Sequence, residues 1–399
     1  MKLSTVRARS DSEDPNLRVL TVNTGSSSLK AGVYAFDRTE RAVASVDASG
    51  FGSPEARFRA TRDESIDRPL DPPDHDTALR ALLEFLANDL AADAIGHRVV
   101  HGGRDHGEPA RVTPALLDSL ERLVPLAPNH LPQAIRAMRA LANAYPLTPQ
   151  VACFDTAFHR SMPAVARRYA LPDSIVETGV ERYGFHGLSY ESILEELKRV
   201  APAEALGRLI IGHLGNGASL AALRGGASVD TTMGYSPEGG LVMGTRPGDL
   251  DPGVFIHLLG LGMSRDDIQT LFAERSGLLA VSGRSDMREL LAREARDPRA
   301  ALAVELFCYQ TRKFIGALAA VLGGLDTLVF TGGIGEHSPA IRARIVRDLE
   351  FLGVEIDPHA NEQAVLSPPG ARVTVRVIKS DEDRMIARHT RDVVTKEHA

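Results

Sequence analysis

The chain has 399 residues, 43% hydrophobic and 25% charged, which is typical of a globular protein and long enough for two domains. Its formal net charge of -6 gives no reason to expect a nucleic acid partner, and no apolar run approaches the roughly 20 residues of a membrane span. Cys153 and Cys308 have no motif spacing, so we expect reduced cysteines in a cytoplasmic protein. Residues 1–16 lack the apolar segment of a signal peptide and are expected to form a flexible tail.

The first predicted elements are two apolar strands, residues 19–22 and 29–34, joined by a polar turn with Gly25 and three serines. This pattern predicts a β-hairpin. Gly25 lets backbone N–H groups approach a ligand, so the turn can hold phosphate oxygens, and Asn23 offers an oxygen to a hard cation. The alternative is an ordinary solvated hairpin turn.

The next stretch leads to a buried arginine. Residues 35–75 are rich in charge, proline and glycine and predict short surface strands and loops, whereas residues 78–90 have helical spacing. Residues 94–103 predict a buried strand whose Arg98 needs a partner or a ligand. Its His97 and His101 are four apart, a metal-binding spacing on a helix, but the valines and glycines here favour a strand.

Two histidines lie in constrained loops. Residues 113–124 and 131–145 predict helices, and the proline-flanked loop between them presents His130. Residues 151–159 predict a strand that ends on Asp155, and His186 lies between glycines just before a helix at residues 189–200. A lone histidine is usually an ordinary surface or core residue, but these rigid settings favour a function.

A second strand–turn–strand pattern follows at residues 208–223, and a third apolar strand, residues 325–330, runs into the glycine-rich residues 331–336. The recurrence indicates an internally duplicated fold with a nucleotide between its halves. Residues 233–253 are the richest in glycine and contain Arg246, which suggests an anion clamp, although a flexible surface loop is the alternative.

The remaining elements are a long helix, a strand and an acidic cluster. Residues 301–322 predict a helix with two apolar stripes, which suggests packing on two sides. Residues 373–378 predict a strand leading to the acidic residues 380–383 and a short helix. The acids suit a magnesium site or a helix N-terminus.

These groups favour phosphoryl transfer to a carboxylate. The chain contains neither GxxxxGK[ST], GxGxxG nor GxSxG, which argues against P-loop, dinucleotide and serine-hydrolase chemistry. Buried cations suit an anionic transition state. A carboxylate acceptor is already ionised at pH 7 and needs no general base, and arginine can hold both it and the phosphoryl group.

With these motifs in order, the sequence resembles the acetate kinase family, in the superfamily of sugar kinases, actin and heat-shock chaperone ATPases. The resemblance rests on residues 22–30, 96–103, 154–159, 183–187, 213–217, 240–246 and 332–336. It implies an α/β, duplicated actin-like (ribonuclease H-like) fold with a nucleotide cleft between two domains, residues 17–155 with 383–399 and residues 156–382. It further implies a homodimer that transfers the γ-phosphoryl group of ATP to acetate directly and in line.

The resemblance also implies the site residues, by position. Magnesium, or manganese in its place, would be held by Asn23 and Glu382. The catalytic groups would be Arg98, His130, Asp155, His186 and Arg246. The wall around the acetate methyl group would comprise Val100, Phe185 and Pro237, with Arg98 also binding substrate. ATP or ADP would contact Lys30, His213, Leu214, Gly215, Asn216, Gly217, Asp286, Met287, Arg288, Gly333, Ile334, Gly335, Glu336 and His337.

Several positions depart from the family pattern and bear on specificity. A polar Asn129 precedes His130 where an apolar residue is usual, and His337 replaces asparagine in a nucleotide segment. Other departures are Leu131, residues 235–239, Pro247, Ser380 and Asp381. Acetate and propionate preference is therefore open. Alternatives are a propionate or short-chain acyl kinase and, from another class, an actin-like ATPase that acts through a binding partner.

Overall fold

Two β-sheets organise this computed structural model, which describes residues 17–25, 28–87 and 92–396. The first sheet has the order β5-β4-β3-β2-β1-β6-β8-β7 and the second the order β11-β10-β9-β12-β13. The strands are β1 (Leu17–Thr24), β2 (Ser28–Phe36), β3 (Glu40–Ser49), β4 (Arg57–Thr61), β5 (Ser65–Pro69), β6 (Ala94–Val99), β7 (Ala110–Arg111), β8 (Gln150–Phe154), β9 (Arg208–Leu214), β10 (Ala218–Arg224), β11 (Ala227–Thr231), β12 (Thr327–Thr331) and β13 (Thr374–Val377).

The same five-strand unit occurs in both sheets, as β3-β2-β1-β6-β8 in the first and β11-β10-β9-β12-β13 in the second. This repetition confirms the predicted duplication and the α/β class of the fold. In the first sheet β1 pairs antiparallel with β2 and parallel with β6, and β6 pairs parallel with β8. In the second sheet β9 pairs antiparallel with β10 and parallel with β12, and β12 pairs parallel with β13. Both predicted hairpins therefore exist, and each begins its own half of the molecule.

Helices cover both sheets. They are α1 (His75–Leu86), α2 (Pro114–Leu123), α3 (Leu131–Ala144), α4 (Ala164–Arg167), α5 (Asp173–Val176), α6 (Gly187–Val200), α7 (Pro202–Leu206), α8 (Pro252–Gly260), α9 (Arg265–Glu274), α10 (Gly277–Ser282), α11 (Met287–Arg293), α12 (Pro298–Leu322), α13 (Gly332–His337), α14 (Pro339–Val346) and α15 (Glu382–Lys396). Short 3-10 helices lie at Val124–Leu126, Ala157–Ser161 and Glu350–Leu352. No helix within these described segments is long and apolar enough to cross a membrane.

The C-terminal helix α15 returns to the first sheet. It packs against β1, β6 and β8, and its Met385 and Ile386 share an apolar cluster with Val19 and Val151 of that sheet. This packing is what the proposed assignment of residues 383–399 to the first domain requires. The proposed tail, residues 1–16, lies outside the described residues.

Several element predictions were wrong in extent or in kind. Residues 35–75 form strands, as predicted, but these are not confined to the surface, because β3, β4 and β5 extend the first sheet and alternate residues of β3 are buried. The glycines after β12 begin helix α13 directly, and α15 has 15 residues and is not short. The helix predicted over residues 78–90 runs from His75 to Leu86, and Leu90 lies outside the described residues.

The two apolar stripes of α12 differ in burial. Phe307 and Leu318 are buried against the second sheet. Leu302 and Tyr309, from the other stripe, are 60% and 56% exposed. The expectation that both sides pack within the chain was therefore wrong for that stripe.

Candidate active site

A cleft of about 1240 Å³ is lined by residues from both sheets. Asn23, Lys30 and Arg98 reach it from the first sheet, and His213 and Glu336 from the second half. It lies where β1, β6, β9 and β12 end, which is where ligands bind in open α/β sheets. Glu382, at the start of α15, also lines it.

Arg98 is fixed in this cleft by Asp155. Its Nε and Nη2 atoms donate to both carboxylate oxygens of Asp155, with Nη2–Oδ2 at 2.6 Å. Its Nη1 atom donates to Asn23 Oδ1 at 3.2 Å. Burial raises the pKa of Asp155, and the charge and hydrogen bonds of Arg98 oppose that rise. This bidentate pairing sets the orientation of the guanidinium.

Arg246 is held between a histidine and a backbone carbonyl. Its Nη2 atom donates to His130 Nε2 at 3.3 Å, and Nη1 donates to Pro237 O at 3.3 Å. Burial, followed by the charges of Arg246 and Arg98, lowers the pKa of His130 to about 3, so the ring is neutral. With Nε2 accepting, the hydrogen lies on Nδ1, which is buried and has no partner in the described part of the chain.

The loop that carries Arg246 is packed, which rules out the flexible surface loop. Leu241 and Met243 are fully buried in the core of the second half. The Met243 N–H donates to Arg246 O, and Gly244 N–H donates to Asn216 O. These hydrogen bonds and buried side chains hold the backbone that carries Arg246 in place.

His186 occupies a strained backbone position beside the cleft. Its φ is 59° and its ψ 25°, in the left-handed region, and α6 begins at the next residue. The ring stacks on His213 with centroids 4.3 Å apart. Burial and the neighbouring charges of His213, Arg98 and Arg246 lower its pKa well below the usual value.

A hydroxyl chain sets the tautomer of this neutral ring. His186 Nδ1 lies 2.8 Å from Ser219 Oγ, which lies 2.5 Å from Tyr190 OH. Tyr190 is fully buried, and within the described residues its hydroxyl has only Ser219 to donate to. Ser219 then donates to Nδ1, so Nε2 carries the hydrogen of His186 and is a donor.

His186 and Arg246 converge on one point. A methyl group placed on Gly217 would lie 3.4 Å from His186 Nε2 and 3.6 Å from Arg246 Nη1. A glycine there leaves the space between the two donors open. The structure thus brings together Arg98, Asp155, His186, Arg246 and His130.

The predicted acyl wall is apolar and buried. Val100, Phe185 and Pro237 are all buried, and Val100 and Phe185 belong to one apolar cluster. Pro237 contacts Arg246 through its carbonyl oxygen. Asn129, which precedes His130, is only partly buried.

The predicted nucleotide residues fall into three groups. His213 and Leu214 end β9, and Gly215, Asn216 and Gly217 form the hairpin turn, closed by a hydrogen bond from Gly215 N to Gly217 O. Gly333, Ile334, Gly335, Glu336 and His337 form α13.

Their placement relative to the cleft differs. Lys30, His213, Gly333 and Glu336 line it. His337 is 79% exposed. Asp286 caps α11 and pairs with the exposed Arg288, and the segment with Met287 does not line this cleft.

Asn23 and Glu382 meet, as a shared ion would require. Asn23 Nδ2 donates to Glu382 Oε2 at 3.3 Å. Burial opposes ionisation of Glu382, but Arg98, His213 and Lys30 outweigh it and lower its pKa. An amide oxygen and an ionised carboxylate are the donors that magnesium prefers.

The pair His97 and His101 has protein partners. His97 Nε2 donates to Gln150 Oε1 at 2.6 Å, and His101 Nδ1 accepts from Gly103 N–H. The described residues contain no cluster of three or more His, Cys, Asp or Glu that could hold a metal ion. Their contacts give no support to a metal site on this strand.

The model of the acetokinase family matches residues 18–388, nearly the whole chain. The chain belongs to the acetokinase family. It is 45% identical over 385 residues to an acetate kinase of Nitrobacter hamburgensis, covering 93% of this chain and 95% of that protein. An acetate kinase of Rhodopseudomonas palustris is 44% identical, with 93% and 97% covered.

Solved acetokinase structures agree with the fold. A propionate kinase from Francisella tularensis superposes with a TM-score of 0.88 at 34% identity, covering 94% of this chain and 99% of that one. An acetate kinase from Porphyromonas gingivalis gives 0.83 at 36% identity, with 95% and 100% covered. These similarities confirm the family resemblance and the duplicated fold.

Two contributors to this acetokinase site were missed in the sequence. Ser219 and Tyr190 position His186, but neither was singled out. Ser219 lies two residues after Gly217 in the second hairpin, which is a weak signal. Tyr190 is an ordinary helix residue in sequence, and only the tertiary structure brings it to Ser219.

Proposed function

We propose that the protein is an acetate kinase that transfers the γ-phosphoryl group of ATP reversibly to acetate, giving acetyl phosphate and ADP. One observation carries the proposal. A neutral histidine donor, His186, and the anchored Arg246 border one open space next to buried apolar residues, and the second anchored arginine, Arg98, is close enough to act on the charge of His186. Relatives named acetate kinase at 44–45% identity support it.

Each group has a role that its surroundings favour. The acetate carboxylate is ionised at pH 7, so it can attack phosphorus without a base. Arg98 and Arg246 offset the repulsion between this carboxylate and the phosphate. Nε2–H of His186 donates to an oxygen of the moving phosphoryl group, and Asp155 positions Arg98. His130 fixes Arg246 in the same way.

Magnesium is the proposed cofactor, with manganese a possible substitute. Asn23 and Glu382 fit it, because their side chains are in contact and each carries an oxygen that can bind the ion. Two protein ligands leave room for water and phosphate oxygens, as magnesium in phosphoryl-transfer sites requires. When bound, the ion would offset negative charge on the phosphates. The proposed nucleotide, ATP or ADP, would lie along Lys30, His213 and Gly333.

The second candidate is a propionate or other short-chain acyl kinase. It is favoured by the similarity to the Francisella tularensis propionate kinase, and the polar Asn129 before His130 leaves the acyl preference open. Each added methylene contributes only about 1–3 kcal/mol of binding free energy in an apolar pocket. The enzyme will therefore act on more than one short-chain acid, and the ratio of the kcat/KM values identifies the preferred acceptor.

The test is a hydroxamate assay for acyl phosphate with ATP, magnesium and acids of two to four carbons. We expect acetate to give the highest kcat/KM. If propionate or butyrate gives a higher kcat/KM than acetate, that acid is the preferred acceptor, and the proposed phosphoryl transfer to a carboxylate still holds. ATP hydrolysis without acyl phosphate from any acid would refute the proposal and favour an actin-like ATPase that works through a partner.

We also propose a homodimer located in the cytoplasm. Helix α8 has no buried residue, and its Val254, Phe255, Ile256 and Leu259 are all exposed apolar side chains. An apolar surface of this kind is typical of a protein interface. The two buried, unpaired cysteines suit a reducing compartment.

A further inference from the structure

A second cavity, here called the basic cavity, has a volume of about 390 Å³ and shares no lining residue with the active-site cleft. Four arginines line it: Arg104, Arg160, Arg167 and Arg182. Of the described residues that line it, Glu181 is the one carboxylate. The cavity therefore carries a formal excess of three positive charges.

Its two histidines do not add to this charge at neutral pH. Burial lowers the pKa of His159 to about 4 and also lowers the pKa of His106. His159 Nε2 donates to Phe185 O, and His106 Nε2 lies 2.9 Å from Ser119 Oγ. The arginines thus set the potential of the cavity.

Three of the arginines are held in place by neutral carbonyl oxygens. Arg104 donates to Val176 O at 2.6 Å, and its Nε lies 3.5 Å from Glu181 Oε1. Arg160 donates to the carbonyl oxygen of Arg104, and Arg182 donates to three successive carbonyls that end at Met233. The carbonyl contacts fix positions without neutralising charge. Besides Glu181, the carboxylate of Asp230, whose pKa burial raises and the charge of Arg182 lowers, offsets part of it.

Arg167 has no such partner. Its Nε–H group is buried, and nothing in the described parts of the chain accepts a hydrogen bond from it. A buried donor without an acceptor is uncommon because it loses its hydration without replacement. In a cavity with excess positive charge, the missing acceptor is most simply an anion.

From this cluster we propose that the basic cavity is a second anion site, which binds a compact oxyanion with at least two negative charges. A phosphate group, free or on a small metabolite, has this chemistry. It offers several acceptor oxygens to guanidinium groups in a fixed geometry. A monovalent anion would leave most of the charge unneutralised, so acetate and chloride should bind far less well.

The test is calorimetric titration of the full-length protein with inorganic phosphate while Mg²⁺ and adenylyl imidodiphosphate saturate the active-site cleft. We expect one saturable site per chain, with an affinity that falls as salt rises. Succinate, titrated separately, distinguishes a phosphate site from a general dianion site. Equal affinity for succinate would overturn the preference for phosphate.

The variants are Arg167→Gln and, as a matched control, Arg136→Gln. Arg136 pairs with Asp76 on the surface of α3, so its loss should leave phosphate binding unchanged. Arg167→Gln should weaken it at least tenfold without unfolding the chain, because the buried Nε–H group has no hydrogen bond that would be lost. If Arg167→Gln proves unstable, Arg160→Gln, at an exposed residue, repeats the test.

The proposal would be overturned if phosphate showed no saturable binding to the wild-type protein. It would also be overturned if Arg167→Gln and Arg136→Gln bound phosphate equally well. Neither result depends on acyl phosphate formation, so failure here and failure of the proposed acetate kinase activity can be told apart.

Discussion

At the scale of single residues, the site is organised by partners that hold each charged group. Arg98 has Asp155, Arg246 has His130, and His186 has Ser219. None of these three side chains is left to rotate freely. Such fixed donors can stabilise transition-state charge with little reorganisation.

Arg246→Ala tests this arrangement. We expect kcat to fall about 10²–10³-fold, because one donor to the transferring phosphoryl group is lost. The kcat of Arg246→Lys should lie between those of the wild-type protein and Arg246→Ala, since lysine keeps the positive charge but lacks the planar guanidinium group. The measurement is steady-state acyl phosphate formation with a circular dichroism check of the fold.

The matched control is Arg284→Ala, at an exposed arginine whose Nε lies 3.5 Å from Glu289. It should retain wild-type turnover. Comparable turnover in the Arg246 and Arg284 variants would contradict the role given to Arg246.

At the scale of elements, β6 and α15 pack closely against each other. A methyl group on Gly96 would lie 2.2 Å from Thr390 Oγ1 and 2.6 Å from Ile386 Cγ2. The absence of a side chain at this one position lets the helix lie directly on the sheet. The helix that carries Glu382 is thereby set against the strand that carries Arg98.

Gly96→Ala should therefore destabilise the protein by about 1–3 kcal/mol through overpacking. Gly316→Ala in α12 is the matched control, because a methyl group there meets nothing within 4 Å. It should be neutral or stabilise by roughly 0.5–1 kcal/mol through helix propensity. Urea unfolding of both variants measures the difference, and equal effects would disprove the packing argument.

The exposed face of α8 makes a second prediction at this scale. If α8 lies in a homodimer interface, Ile256→Glu buries a charge there and should convert dimer to monomer. Ile256 is 65% exposed in the single chain, so the monomer itself should fold normally. Light scattering after size exclusion gives the mass.

The control for α8 is Leu147→Glu, at another exposed apolar residue far along the chain. It should leave the mass unchanged. A wild-type monomer, or an Ile256→Glu dimer, would show that α8 does not hold two copies together.

At the scale of the whole molecule, buried neutral histidines make the fold sensitive to acid. Burial lowers the pKa of His97 to about 4, below its ordinary value of 6.5. As pH falls from about 6.5 to 4, the unfolded chain takes up a proton that the folded chain refuses. Stability is therefore lost with falling pH in this window.

His97→Gln should make the unfolding free energy less dependent on pH. Between pH 6 and 5 the wild-type slope contains about 1 kcal/mol per pH unit from this residue, and the variant lacks it. Urea unfolding at pH 7, 6 and 5 gives both slopes. Parallel slopes would contradict the assignment of a neutral buried ring.

Local patterns account for what the sequence could predict. The hairpins that begin each half, the strand with Arg98 and the long α12 were predicted because apolar periodicity and glycine turns are local signals. For β3, β4 and β5 only short surface strands and loops were predicted, because their charged and proline-rich setting masks the alternation of Ala44, Val46 and Ala48. Those residues face a core that only the assembled sheet creates.

The candidate site divides in the same way. Motif residues such as Arg98, Asp155 and His186 were identifiable from their setting and the family resemblance. The contact between Ser219 and Tyr190 was not identifiable from the sequence, since Tyr190 lies on a helix and Ser219 on a strand that are separate in the chain. The basic cavity was missed because its arginines come from separate surface-like segments with no shared motif.

The return of α15 to the first sheet has a consequence for how the chain is made. A ribosome completes the strands of the first sheet early but produces α15 only after every strand of the second. Until then, Val19, Val151 and Cys153 lack the helix that covers them. The nascent first half therefore presents an uncovered apolar face throughout synthesis of the second, and a chaperone that binds apolar segments would find it there.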